Sequence, residues 1–447
     1  MLTDGIREDI KRLSSLAGPA IAAQLGAMML WVVDIAMLGR FGVEALDGVA
    51  LGRTWISGTM VLGVGLILGL DPIATQAFGR QDKKRLDAVF ADTFAIAMGM
   101  SVVLAVAWAL TEPMLLLFEQ DPELAAIGGV WAQAQIPSIP FLMTFFVLKH
   151  LLLAQGRVRM PMVVVIGANL VNALANWLLI FGPGPFPELG ALGAGMSTSI
   201  TQAAMTIVLL WWMHRVGDSM PWQVWKLRTM AGIGAVVGFG WPVAIQVGLE
   251  MWTFQISTLL AGRLGHISLA AHTIALTLDA VIYMIPLGIS FAVATRVGNQ
   301  IGAGKPHEAQ RAAWVAMAMT TAIMAMIGVG FWFGRAFLPR LITNENEVVA
   351  VAALLMPIAA AFKLFDGIQV VAAGALRGQG LTKAPAVINL IGFYVIALPL
   401  GIWLAFSRGM DVVGIWWGFL AGLFVTAGTL TFWLWRFGPS RIRSTDT

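Results

Sequence analysis

The chain contains no cysteine. That excludes disulfides, thiolate metal sites and a cysteine nucleophile. Charge is scarce as well: Asp, Glu, Lys and Arg make up 12% of the 447 residues, where a soluble domain carries roughly 25%. Of the five histidines, His272 sits near the end of an apolar run and His266 and His307 in loops, which does not make a metal-ligand set. The chain also lacks a G-x-x-x-x-G-K-[ST] phosphate loop, an H-E-x-x-H pair and a recognisable nucleophile triad. These absences point away from an enzyme and away from a cofactor. They leave an ion gradient as the energy source for any active process.

What the chain does have is apolar sequence, 58% of all residues. It falls into twelve runs at roughly 15–38, 54–77, 91–111, 127–152, 161–182, 190–213, 236–261, 270–295, 312–334, 348–375, 384–407 and 411–436. Each run is long enough to cross about 30 Å of hydrocarbon as a helix. Lipid offers no partner to an open backbone, so spanning segments must be helical. The expected fold class is an all-α polytopic membrane protein with twelve transmembrane helices.

Lys and Arg set the orientation. With the N-terminus in the cytoplasm, twenty-one of them lie on the cytoplasmic side, six on the other, and Lys363 inside a span. That bias places both termini in the cytoplasm. The net charge of +4 reflects these loops and not a nucleic-acid surface. Arg7, Lys11 and Arg12 lead straight into the first span, with no cleavable signal evident.

The chain also repeats itself. PAIAAQLGAMMLWVVDIAMLGR, from Pro19 to Arg40, resembles PVAIQVGLEMWTFQISTLLAGR, from Pro242 to Arg263, at a shift of 223 positions. Further along, TQAFG from Thr75 to Gly79 resembles TRVGNQIG from Thr295 to Gly302, Gly156 and Pro161 recur as Gly380 and Pro385, and Gly193 recurs as Gly414. Matches in chain order favour duplication. The expectation is two six-helix lobes, residues 1–214 and 236–447, related by a pseudo-twofold axis along the membrane normal with a cleft between them. Residues 215–235 read as a cytoplasmic linker with an interfacial amphipathic turn.

Ionisable residues deep in spans are expensive, which makes them functional candidates. Asp34, Glu250, Asp279, Lys363 and Asp366 stand out. Asp34 is either a carboxylate near the outer interface, hydrated or paired with Arg40, or a cation or proton site. Asn169, Asn172 and Asn176 place three amides on one face of the fifth span, and Ser197, Thr198 and Ser199 follow in the sixth. A carboxylate with amide and hydroxyl oxygens suits a small hard cation or a titrating acid. Glu250 shares a stripe with Gln246, Thr253 and Ser257, and is read either as a cavity wall or as a polar seam between helices. Lys363, Asp366 and Gln369 share a face. They form either an internal ion pair or a tethered cation at a binding site. Asp279 lines the cavity or pairs with Lys363. Pro19 and Pro242 are either static kinks or hinges. Met28, Trp31, Met37 and Trp252 are candidates for gripping an aromatic cation.

Taken in order, VVDIAMLGRFG at Asp34, GLDPIATQAFG, NALANWLLIFG at Asn172 and Asn176, GLEMWTF at Glu250, AAHTIAL, RVGNQIGAG and FDGIQVVAAGALRGQG at Asp366 resemble the multidrug and toxic compound extrusion (MATE) transporters of the NorM-like branch. The resemblance covers essentially the whole chain. It implies export of organic cations or drugs in exchange for protons or sodium ions by alternating access, from an inner membrane, with the monomer as the working unit. It implies a coupling set of Asp34, Asn172, Asn176 and Thr198 in the N-terminal lobe, with Glu250 and Asp366 in the C-terminal lobe. It leaves Gln246, Thr253, Asp279, Lys363, Gln369, Met28 and Trp31 as cleft residues. The chain departs from the family in having Phe362 where Tyr is frequent, and in carrying Lys363 and Asp279, which tilts the expectation toward protons. The alternatives are a lipid-linked oligosaccharide flippase of the same superfamily, disfavoured by the mostly acidic buried set, and a passive channel, disfavoured by the internal twofold repeat.

Overall fold

The computed structural model describes residues 2–216 and 229–441. Most of the expected linker, 217–228, lies outside the described residues. Among them, twelve helices are long and apolar enough to cross a membrane: α1 (Asp4–Phe41), α2 (Val43–Gly79), α3 (Lys83–Ala109), α4 (Pro122–Ala154), α5 (Arg159–Phe181), α6 (Gly190–Arg215), α7 (Met230–Arg263), α8 (His266–Gly302), α9 (Pro306–Phe333), α10 (Asn346–Gln379), α11 (Lys383–Ser407) and α12 (Asp411–Arg441). The chain is an all-α, multi-pass membrane protein.

Several helices run beyond the apolar stretches that announce them. Hydropathy marks only the part at hydrocarbon depth, and the backbone hydrogen-bond ladder continues into polar turns. The start of α1 shows why. Asp9 is fully buried and receives hydrogen bonds from Arg296 at 2.9 Å and Arg311 at 2.7 Å. Two helix starts are capped by an aspartate carboxylate. Asp82 accepts from the Arg85 N–H ahead of α3, and Asp121 accepts from the Glu123 and Leu124 N–H groups ahead of α4. Proline and π-helical turns interrupt others: α4 passes through a tight turn at Ile136–Ser138, and α11 carries π-helical segments at Ile391–Ala397 and Trp403–Ser407.

The described residues pack into two compact units. One comprises Met1–Ile21, Thr75–Gln81 and Ile245–Thr447, the other Ala22–Ala74 and Asp82–Ala244. Besides assigning Thr75–Gln81 to the first unit, they differ from a plain division into 1–214 and 236–447 in where α1 and α7 are cut. Both cuts fall two residues after a proline, behind Ile21 after Pro19 and behind Ala244 after Pro242, at equivalent positions of the 223-residue repeat. The cause is packing of the early turns. Leu13 and Ala17 of α1 join a core with Ile289, Val293, Ala313 and Leu376. Val236 of α7 joins Leu70, Ala74, Val89 and Ala154. Both prolines sit inside uninterrupted helices.

Candidate functional site

In the unit built on 22–74 and 82–244, Asp34 is buried at 9% exposure. Asn172 and Asn176, one turn apart on α5, donate to its Oδ1 at 3.1 and 2.6 Å. The other N–H of Asn176 goes to Asn172 Oδ1 at 3.2 Å. Thr198 of α6 adds a hydroxyl against the same carboxylate, and the Ser197 hydroxyl steadies α5 through the Asn172 carbonyl at 3.2 Å. Both amides fall on Oδ1, so neither occupies Oδ2. Asn176 Oδ1 is buried and, among the described residues, has no hydrogen-bond partner. An acceptor left unpaired in this setting is a place for a proton donor or a cation.

Two expectations change here. Asn169 does not reach Asp34; its amide donates to the carbonyls of Gly26 and Val165, both at 3.0 Å. It lies two turns back along α5, at a level where α1 presents backbone, so it ties the two helices together. The basic neighbour of Asp34 is Arg53, not Arg40. α2 begins at Val43, which places Arg53 within the helix. Its guanidinium stacks on the Trp31 ring at 3.8 Å, within electrostatic range of Asp34.

A cavity of about 180 Å³ opens beside Asp34. Trp31, Trp108, Trp131, Phe145 and Phe146 supply its apolar wall, and Asn172, Thr198, Gln24 and Lys149 its polar groups. Trp31 is part of the wall of this cavity, and Met28 is not among its lining residues.

In the other unit, Glu250, Asp279, Lys363 and Asp366 are all buried. Lys363 of α10 pairs with the Asp279 carboxylate on α8 and also donates to the Asp279 backbone carbonyl at 3.0 Å. The ion pair thus joins two helices. Asp366, the sequence neighbour, stays within electrostatic range of Lys363, Asp279 and Glu250. Gln369 is fully buried, and among the described residues its amide oxygen and nitrogen have no hydrogen-bond partner. Thr253 spends its hydroxyl on the Leu249 carbonyl at 2.8 Å, while Gln246 is only partly buried. Ser257 contacts His272 Nε2 at 3.2 Å. On the other side of that ring, Trp416 donates to His272 Nδ1 at 3.1 Å. Nδ1 must then be the acceptor and Nε2 the N–H, which fixes a neutral imidazole.

Sequence reasoning missed residues that this geometry brings in. The chain has only two tyrosines, Tyr283 and Tyr394. The first hydrogen-bonds Glu250, and the second donates to the neighbouring Leu249 carbonyl at 3.2 Å from the π-helical part of α11. Their rarity was the available signal. Phe362 stands at the position where the resembled family often has tyrosine. Its ring is fully buried against Phe254, Trp416 and Phe419, where a hydroxyl would enter an aromatic cluster. Asp71, Lys149 and His150 were also passed over, although the rule that picked Asp34 applies to them.

A sequence model described as MatE matches residues 19–178 and 242–403. The matched segments begin at Pro19 and Pro242, where the internal repeat begins. A multidrug resistance protein NorM from Burkholderia vietnamiensis is 33% identical over 428 residues, covering 94% of this chain and 92% of that protein. Multidrug and toxin extrusion protein 1 of Mus musculus is 31% identical over 428 residues, covering 94% of this chain and 74% of that protein. Among solved structures, the eukaryotic MATE transporter AtDTX14 superposes with a TM-score of 0.88 at 26% identity, over 99% of this chain and 100% of that one. A mutant of the Vibrio cholerae MATE transporter VcmN superposes with a TM-score of 0.89 over 98% of this chain and 99% of that one, at 18% identity, a likeness of fold alone.

Proposed function

Because the chain belongs to the MatE family, we propose that it is a secondary active multidrug efflux transporter that exports organic cations in exchange for protons. The observation that carries this reading is Asp34, a buried carboxylate held on one oxygen by Asn172 and Asn176 beside an aromatic-walled cavity. The cation is drawn to the ionised carboxylate and to the Trp and Phe faces around it. A proton on Asp34 removes that attraction. The two ligands therefore exclude one another, and a transporter whose two states favour different ligands couples their movements.

The second acidic group supports the same reading. With Lys363 engaged by Asp279, Glu250 and Asp366 remain as the other buried carboxylates of the C-terminal half among the described residues, and Tyr283 holds Glu250. Pro19 and Pro242 serve as hinges, since the packing of α1 and α7 changes unit just beyond them. The setting is a cell inner membrane with both termini in the cytoplasm, and the monomer is the working unit.

The test is efflux of a fluorescent organic cation from proteoliposomes. One set carries a pH gradient without sodium, the other a sodium gradient at uniform pH. The pH gradient should drive efflux in the native protein, and Asp34→Asn should abolish it while the protein stays folded. Normal coupled efflux by Asp34→Asn would sink the assignment. Efflux driven by sodium alone would overturn the choice of proton.

A further inference from the structure

Below the Asp34 cavity lies a group of ionisable residues that the exchange described so far does not use. Asp71 on α2 and His150 on α4 are buried and meet at 2.9 Å, Asp71 Oδ1 to His150 Nδ1. Lys149, the residue before His150, lies within electrostatic range of Asp71. Its ammonium donates to Gln24 Oε1 at 2.7 Å. Gln24 and Lys149 line the same cavity as Asp34. Gln24 is ten residues before Asp34 on the continuous α1, which puts Lys149 about 15 Å nearer the cytoplasm than Asp34.

We propose that this cavity is a hydrated conduit connecting Asp34 to a second proton-carrying cluster, Lys149–Asp71–His150, through which the coupling proton leaves toward the cytoplasm. The inference rests on the proton-coupled reading above and on the orientation given there.

Size and lining both fit water. A cavity of about 180 Å³ holds about six molecules at roughly 30 Å³ each, and a buried water needs two to four polar partners. Thr198, Thr201, Gln202, Gln135, Ser138 and Gln24 provide them between the two charged ends. Each hop moves one proton from donor to acceptor, and the next hop restores the donor. Lys149 gives a proton toward Asp71–His150 and takes another from the cavity side.

Helices α2, α3, α4 and α7 pack together here through Leu70, Ala74, Val89, Ala154 and Val236. On α3, Asp92 accepts from the Thr229 N–H at 2.8 Å and so serves the start of α7, while Asp87 lies beside Lys83. The stretch of α7 in this unit, 230–244, carries no charged side chain.

The test uses the full chain in liposomes and two assays. Exchange of labelled for unlabelled tetraphenylphosphonium at uniform pH moves no net proton; uptake driven by a pH gradient does. His150→Gln and Asp71→Asn should keep exchange within about twofold of native while gradient-driven uptake falls at least tenfold. Intact gradient-driven uptake in His150→Gln would overturn the conduit. A parallel loss of both activities would also overturn it, by showing a purely structural pair. A native protein that answers only to sodium would instead remove the proton-coupled reading itself, before any variant is compared.

Discussion

Lys363 reaches across from α10 to both the carboxylate and the backbone carbonyl of Asp279 on α8, and not along its own helix to Asp366. The ammonium is thereby committed, and Asp366 and Glu250 are left as the other buried acids of that half among the described residues. Two charges in a dry interior are tolerable only when each satisfies the other.

Removing one partner should therefore hurt more than removing both. Lys363→Met leaves Asp279 buried and unpaired, a loss of about 3–5 kcal/mol. The apparent unfolding midpoint in detergent should drop clearly. In the double variant with Asp279→Leu, most of that drop should disappear. Equal midpoints for the single and double variants would contradict the pair.

The two amides on Asp34 should matter for transport, and the third amide should not. Asn172→Leu or Asn176→Leu removes a hydrogen bond to a charged group, worth about 1.5–3 kcal/mol. Coupled efflux should fall roughly ten- to a hundredfold, because 1.4 kcal/mol is about a factor of ten. Asn169→Leu breaks only bonds to the Gly26 and Val165 carbonyls. Its efflux should stay within about threefold of native, with a small loss of thermal stability.

The tyrosines separate in the same way. Tyr283→Phe takes a hydroxyl from Glu250 and should change the competition between protons and substrate, read as a shifted pH profile of substrate binding. Tyr394→Phe removes only the bond to the Leu249 carbonyl. It should lower stability by about 1 kcal/mol and leave that profile in place.

Asp9 anchors the first turns of α1 through Arg296 and Arg311. Asp9→Ala leaves two guanidiniums that are partly exposed, so water recovers some of the lost interaction. The expected loss is about 2–3 kcal/mol, below that of a fully buried pair, with earlier proteolysis of the N-terminal turns. Resistance to limited proteolysis equal to the native protein's would count against the anchor.

Much of the site was legible because it is local. Asn172 and Asn176 lie four apart, so any inward-facing helix puts them on one face, and a single carboxylate at Asp34 is conspicuous in an apolar run. Asp71 and Lys149 obey the same rule and could have been found by it. Their linkage through His150 and Gln24 could not, since those partners lie up to 125 residues apart.

By itself, the sequence determined the membrane class, the twelve helices, the repeat that starts at Pro19 and Pro242, and the identity of the costly residues. All of these follow from hydropathy and short-range periodicity, which are properties of the chain alone. Only the tertiary structure decided who meets whom: Lys363 with Asp279, Arg53 rather than Arg40 near Asp34, both tyrosines at Glu250 and Leu249, and Asp9 between two arginines. A buried charge announces its need for a partner in any one sequence, but the partner is chosen by which helices pack against it and at what depth.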